Sequence, residues 1–196
     1  MAISRRTKYG RRRYARGYRR YRSVSNVYFP CRVEGLYTIA FPNTQSGGGP
    51  IFAENGQLNT VSFAVLFQQS QFYGSLTAMF GYYKLSGILM EVTPGPNNYK
   101  GFNVLGLNVL LGFRFGKTAA MTYQELVADN NSILLGVNTN KRKYASAMGS
   151  NGWISTSASN SVGAFSVASS LTSTLSNAPS WTCKLVVYIL FKKSNA

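Results

Sequence analysis

The opening of the chain carries the residue types with the plainest chemistry. Residues 1 to 23 hold ten cations, Arg5, Arg6, Lys8, Arg11, Arg12, Arg13, Arg16, Arg19, Arg20 and Arg22, and no acidic side chain. Tyr9, Tyr14, Tyr18 and Tyr21 are set among them at spacings of three to five. Cations neutralise phosphates and release condensed counterions, while aromatic rings offer flat faces on which unpaired bases stack, at roughly 1–3 kcal/mol per base. The combination predicts a segment that binds single-stranded nucleic acid. It presents no base-reading geometry, so binding is expected to be largely sequence-independent and strongly salt-dependent. A nuclear localisation signal is a compatible second use of the same run. A second basic cluster, Lys141-Arg142-Lys143, sits in a body poor in charge. It either extends the binding surface or solvates a turn, and the sequence leaves both open.

Other chemistry is short of parts. The chain has no histidine, and its five acids, Glu34, Glu54, Glu91, Glu125 and Asp129, are scattered. Neither a nucleophile with a base nor a general acid–base pair can be assembled from them, so no catalytic residue is expected. Glu125 and Asp129 share one face of a candidate helix, where like charges four apart read as solvated surface or an intersubunit salt-bridge partner. Gly116-Lys117-Thr118 suggests a phosphate loop, but only three residues separate Gly112 from Gly116, where that loop needs four. Cys31 and Cys183 are far apart in sequence and give neither a disulfide framework nor metal-ligand spacing. Both read as small buried hydrophobes. No metal site and no cofactor is expected.

The elements that must position the basic residues follow from composition. The 196 residues include 21 Lys+Arg against 5 Asp+Glu, a net charge of +16 that draws a protein to polyanions. The first segment, with YGRRRYARGYRRYR at its centre, has almost no aliphatic side chains. It cannot bury enough apolar area to offset the entropy of ordering, so residues 1–25 are expected to form a disordered arm. The N-terminus shows no apolar signal region, and no run is long enough to span a bilayer, so a soluble chain is expected. Asn130-Asn131-Ser132 matches a glycosylation sequon that means little without a secretory route.

From Val27 the sequence changes to short alternating apolar runs separated by Gly, Pro, Asn and Ser, the signature of antiparallel strands in a sandwich or barrel. Val33, Gly35, Tyr37, Ile39 and Phe41 share one face of a first strand. Val61, Phe63, Val65 and Phe67 do the same for a second, and a third spans about 83–93. Leu105, Leu107, Val109, Leu111, Phe113 and Phe115 line a long fourth run. Cys183, Leu185, Val187, Ile189 and Phe191 line the last. Two helices interrupt them. Phe72, Leu76, Met79/Phe80 and Tyr83 recur at helical spacing, and Thr122-Tyr123-Gln124-Glu125 is a capping box predicting a helix over about 123–128. In the Ser-rich stretch 150–180 only Phe165-Ser166-Val167 has strand character, which predicts long surface loops with one or two weak strands. No basic-aromatic groove is visible in the body.

This order of elements resembles a known plan. The segment FYGSLTAMFGYYKLSGILMEVTPGP, WTCKLVVYILFKKSNA at the end, and the layout from Tyr123 through Lys141-Arg142-Lys143 are similar to capsid proteins of small circular single-stranded DNA viruses that encode a replication initiator, the circoviruses and their relatives. The resemblance spans nearly the whole chain, although residues 150–180 match no part of that pattern. It implies an all-β fold, a single eight-stranded antiparallel jelly roll over residues 26–196, built of two four-stranded sheets with one or two short helices in loops. It further implies an icosahedral shell of sixty copies, with the arm facing inward on packaged single-stranded DNA. A host import receptor for the arm, a host-cell receptor of unknown identity, and residence in the virion and, during assembly, the host nucleus follow from the same resemblance. No membrane partner is expected.

Two other readings share some of these features. A coat protein of a small single-stranded RNA virus or satellite has the same arm and barrel, and the arm does not tell ribose from deoxyribose. A cellular basic nucleic-acid-binding β-barrel would bind similarly without higher assembly.

Overall fold

A computed structural model describes residues 28–41, 48–55, 58–96, 98, 107–116, 118–147, 152–157, 162–170 and 179–193. The arm residues Arg5 to Arg22 lie outside the described residues. Ten strands are described: β1 (Phe29–Ala40), β2 (Ile51–Phe52), β3 (Thr60–Ser62), β4 (Tyr82–Pro94), β5 (Val109–Phe115), β6 (Ser132–Leu134), β7 (Lys141–Ser146), β8 (Ile154–Ser155), β9 (Gly163–Ser169) and β10 (Ser180–Lys192). Three short helices join them: α1 (Phe63–Gln68), α2 (Tyr73–Met79) and α3 (Tyr123–Ala128).

The strands form two antiparallel sheets. The larger runs β2-β1-β10-β4-β7, with β8 pairing β4, and the smaller runs β3-β9-β5-β6. Setting aside the two-residue β2 and β8, eight strands remain, four in each sheet. In chain order they alternate between the sheets, except that β5 and β6 follow each other in the smaller one. That winding is the jelly roll. The three long strands of the larger sheet give it a continuous inward face: Val33, Tyr37 and Ile39 on β1, Cys183, Leu185 and Val187 on β10, Ile88, Met90 and Val92 on β4, all buried. Against them pack Val61, Val109, Leu111, Phe113, Phe165 and Val167 of the smaller sheet, in one cluster. Burying one large apolar side chain is worth roughly 1.5–3 kcal/mol, so this shared face is what holds the sheets together. Trp181 lies at one end of the core and donates its indole N–H to the Gly136 carbonyl at 2.8 Å, which satisfies the buried polar group.

Three sequence expectations change. The run from Val61 to Phe67 is strand only as far as Ser62 and is then helix α1. Ser62 caps it, its hydroxyl accepting the Val65 N–H at 3.3 Å, and Phe63, Leu66 and Phe67 become the buried face. An apolar set at 61, 63, 65 and 67 fits a two-residue period, but 63, 66 and 67 fit a helical one equally, and the cap decides. The helical set Phe72, Leu76, Met79/Phe80 and Tyr83 is divided: α2 ends at Met79, Leu76 and the C-cap Phe80 are buried, Tyr83 is buried on β4, and Phe72 and Met79 are exposed. In the Ser-rich stretch, β9 is a central strand between β3 and β5 and is buried from Gly163 to Val167. Its small side chains let material pack on both faces, and the Ser166 hydroxyl accepts the Met121 N–H at 3.2 Å.

The second cover is α3. Leu126 and Met121 bury Leu110, on the outer face of β5. The capping box is formed: the Thr122 hydroxyl accepts the Glu125 N–H and the Glu125 carboxylate accepts the Thr122 N–H at 2.9 Å. Gly112 sits beneath the helix, and a Cβ there would come within 2.6 Å of Leu126 Cδ2, so the close approach depends on glycine.

Candidate nucleic-acid and assembly surfaces

Lys141, Arg142 and Lys143 lie on an edge strand, β7, rather than in a turn. Strand alternation separates them. Arg142 stands opposite Glu91 of β4 and pairs with it at 3.0 Å, while its side chain stays largely exposed. Lys143 points the other way and donates its ammonium to the carbonyls of Asn130 and Ser132, tying β7 to the start of β6. Lys141 is exposed and forms no ion pair with the described residues. The triplet is therefore divided between two faces, with one cation in a structural tie.

The outer face of the larger sheet gathers charged and aromatic side chains from elements far apart in sequence. Arg32 and Glu34 of β1, Lys184 and Tyr188 of β10, and Glu91 of β4 share this face with Arg142 and Tyr144 of β7. Glu34 accepts from Arg32 and from Lys184, the latter at 3.3 Å. The Lys184 hydrogen bond, followed by the Arg32 and Lys184 charges, holds its carboxyl below the usual range. Between these charges Val186 and Leu89 are covered, with the Tyr144 and Tyr188 rings 6.0 Å apart beside them and Leu36 67% exposed.

At the end of this face where β1 begins, Tyr28 stacks on Trp153 with ring centroids 5.2 Å apart and planes at 21°. The Lys84 ammonium lies 5.0 Å from the Trp153 centroid. Lys84 is opposite Leu190, and Lys192 is opposite Tyr82. Sequence reading missed this group because its members come from β4, β10 and the residues before β1 and β8. Only the unexplained Trp153 in a Ser-rich stretch was available as a signal.

The remaining candidates are used structurally. Glu125 pairs with Arg114 at 2.9 Å, and Asp129 accepts the Asn131 N–H at 2.8 Å. Glu54 accepts the Thr38 N–H at 2.6 Å; burial opposes its ionisation, but the bonds from Thr38 outweigh this and lower its pKa. Burial, reinforced by the Glu54 and Cys183 charges, pushes the Tyr37 phenol up to about 12. Burial raises both cysteine thiols above their ordinary value. Among the described residues no group of three or more His, Cys, Asp or Glu is placed to hold a metal.

No protein-family model matches the sequence, and the search of curated proteins finds no match. Among solved structures the fold is shared with a chain of Mud crab tombus-like virus, at a TM-score of 0.59 and 12% identity, covering 100% of this chain and 94% of that one. A chain of the virus-like particle of the giant freshwater prawn Macrobrachium rosenbergii nodavirus aligns at 0.58 and 9%, covering 100% and 95%. The BFDV capsid protein, solved as a 60-mer, aligns at 0.53 and 16%, covering 87% and 97%. At these identities the likeness establishes the jelly-roll fold.

Proposed function

We propose that this chain is a viral capsid protein that assembles into a closed icosahedral shell and packages single-stranded nucleic acid through its Arg/Tyr-rich N-terminal segment. The observation that carries the reading is the joining of residues 1 to 23, with ten cations and no acid, to a jelly roll whose fold is similar to the virus chains just described, the 60-mer BFDV capsid protein among them. The arm, residues 1–25, binds the genome, and residues 26–196 build the shell. Sixty copies would bring about 600 arm charges, enough to neutralise on the order of several hundred phosphates. The virion is the site of residence, and import into the host nucleus is a second use of the basic segment.

DNA is the proposed cargo, on the motifs that resemble the circular DNA viruses and on the similarity to the BFDV 60-mer. The RNA-virus reading has its own support in the tombus-like and nodavirus chains, which align over the whole of this one.

Negative-stain electron microscopy of the purified protein, with nuclease digestion of what opened particles release, tests the reading. Uniform round particles are expected, with DNase-sensitive cargo in authentic virions. RNase-sensitive cargo in virions would select the RNA-virus reading. A small monodisperse species under all salt conditions would overturn the shell and leave a basic nucleic-acid-binding barrel.

A further inference from the structure

We propose that the outer face of the larger sheet, at the end where β1 begins, is a second binding site for single-stranded nucleic acid, formed by Tyr28, Trp153, Lys84 and Lys192. This rests on the nucleic-acid reading above and adds to it a site on the folded domain. Three observations converge. Lys84 and Lys192 project from the outer face by strand alternation and form no ion pair with the described residues, whereas Arg32, Lys184 and Arg142 on the same face all do. Phosphates are the complement of cations without a carboxylate partner. The Trp153 ring has the Lys84 ammonium 5.0 Å from its centroid and Tyr28 stacked on it, and Tyr28 is 45% exposed. A ring already held parallel to a second ring costs little further ordering when an unpaired base adds to the stack. Finally, Tyr28 stands at the root of the arm and extends the series Tyr9, Tyr14, Tyr18 and Tyr21 by one member. The pairing of cation and ring read in residues 1 to 23 therefore has a counterpart on the folded domain.

The occupant is single-stranded rather than duplex because stacking on Tyr28 needs a base whose face is free. No base-edge recognition is built in, so the site is sequence-tolerant.

The test uses full-length protein freed of nucleic acid by nuclease and high salt, titrated with labelled oligothymidylate at several salt concentrations. Tyr28→Ala is expected to weaken binding about five- to hundredfold without changing the salt slope. Lys84→Gln with Lys192→Gln is expected to reduce that slope by about 1.4. Inorganic polyphosphate, which has charge but no bases, should lose affinity with the lysine pair and not with Tyr28→Ala. Trp153→Phe keeps a ring in place and should bind nearly as the parent does. In the parent, Trp153 emission should be quenched by the oligonucleotide while Trp181, 1% exposed, is not. Oligothymidylate binding and slope unchanged in Tyr28→Ala and in the lysine pair would overturn the second site while leaving arm binding intact. A lowered melting temperature with unchanged affinity would show that the stack only tethers the chain, and would overturn it too. Failure of the parent to bind at all would overturn the packaging reading itself.

Discussion

Arg114 Nη1 lies 2.9 Å from Glu125 Oε1, linking the exposed end of β5 to the capping box that starts α3. One carboxylate thus satisfies a strand cation and an orphan helix N–H together. The consequence is that α3, only six residues long and unable to hold itself by propensity, is fixed over Leu110 by its first turn.

Thr122→Ala is expected to cost about 1 kcal/mol, the usual loss of a helix cap, read from urea denaturation at pH 7. The Glu125 carboxyl is held below its ordinary value by the Thr122 N–H first, then by Arg114 and the Thr122 hydroxyl. Its contribution is therefore complete above the unfolded-state pKa and is lost as pH falls through the lower folded value. Glu125→Gln should melt earlier than the parent at pH 7, and the gap should close as the pH falls through the lowered folded-state pKa of Glu125. A constant gap across that range would contradict the assignment.

Gly112→Ala tests the seat of the same helix. The added methyl would meet Leu126 Cδ2 at 2.6 Å and Ser132 Cβ at 3.2 Å, and both neighbours are held by β-sheet or cap contacts. Overpacking of this kind costs about 1–3 kcal/mol. A denaturation midpoint equal to the parent's would show that α3 lifts freely.

How much of this was legible in the sequence differs by element for physical reasons. β1 and β10 alternate cleanly because each buries one face, so Val33 to Phe41 and Cys183 to Phe191 announced themselves. β5 was legible in the same way, with Val109, Leu111, Phe113 and Phe115 on one face, although α3 covers Leu110 on the other; β9 is buried on both faces, at Ser166 against Met121, and there the alternation is lost. Of β9 only Phe165-Ser166-Val167 was legible, because Gly163, Ala164 and Ser166 are small residues that composition assigns to loops. The capping box at Thr122 was readable since its logic is local. The Tyr28, Trp153 and Lys84 group was not, since only the pairing of β1, β10, β4 and β8 brings it together.

The cysteines bear on the handling of the protein. Cys31 is opposite Ile189, and Cys183 is opposite Tyr37, so the two sit six residues apart along paired strands, about 20 Å. A disulfide within one chain needs Cα atoms within about 7 Å and is excluded. Burial raises the Cys183 thiol strongly and Cys31 less, where the Arg32 N–H partly offsets it. Ellman's reagent should therefore react slowly with Cys31 in native protein and reach Cys183 only in guanidinium. Two fast native thiols would contradict the buried position of Cys183.

Removal of residues 1 to 23 separates the two halves of the proposed function. The buried core begins at Val33, and the net charge lost is the ten cations of the segment, so folding and shell contacts of the body are expected to survive. What should go is co-purifying nucleic acid, seen as a fall of the 260/280 nm absorbance ratio in particles that still look round under the microscope. The full chain should release its cargo steeply with salt, since ten phosphate contacts on a single strand give a slope near about −7 in log K against log salt. The truncated chain, left with Lys84 and Lys192 on the outer face, should retain a weak affinity for oligothymidylate with a slope near about −1.4. Truncated shells carrying a full nucleic-acid signal would move packaging off the arm and onto the folded body.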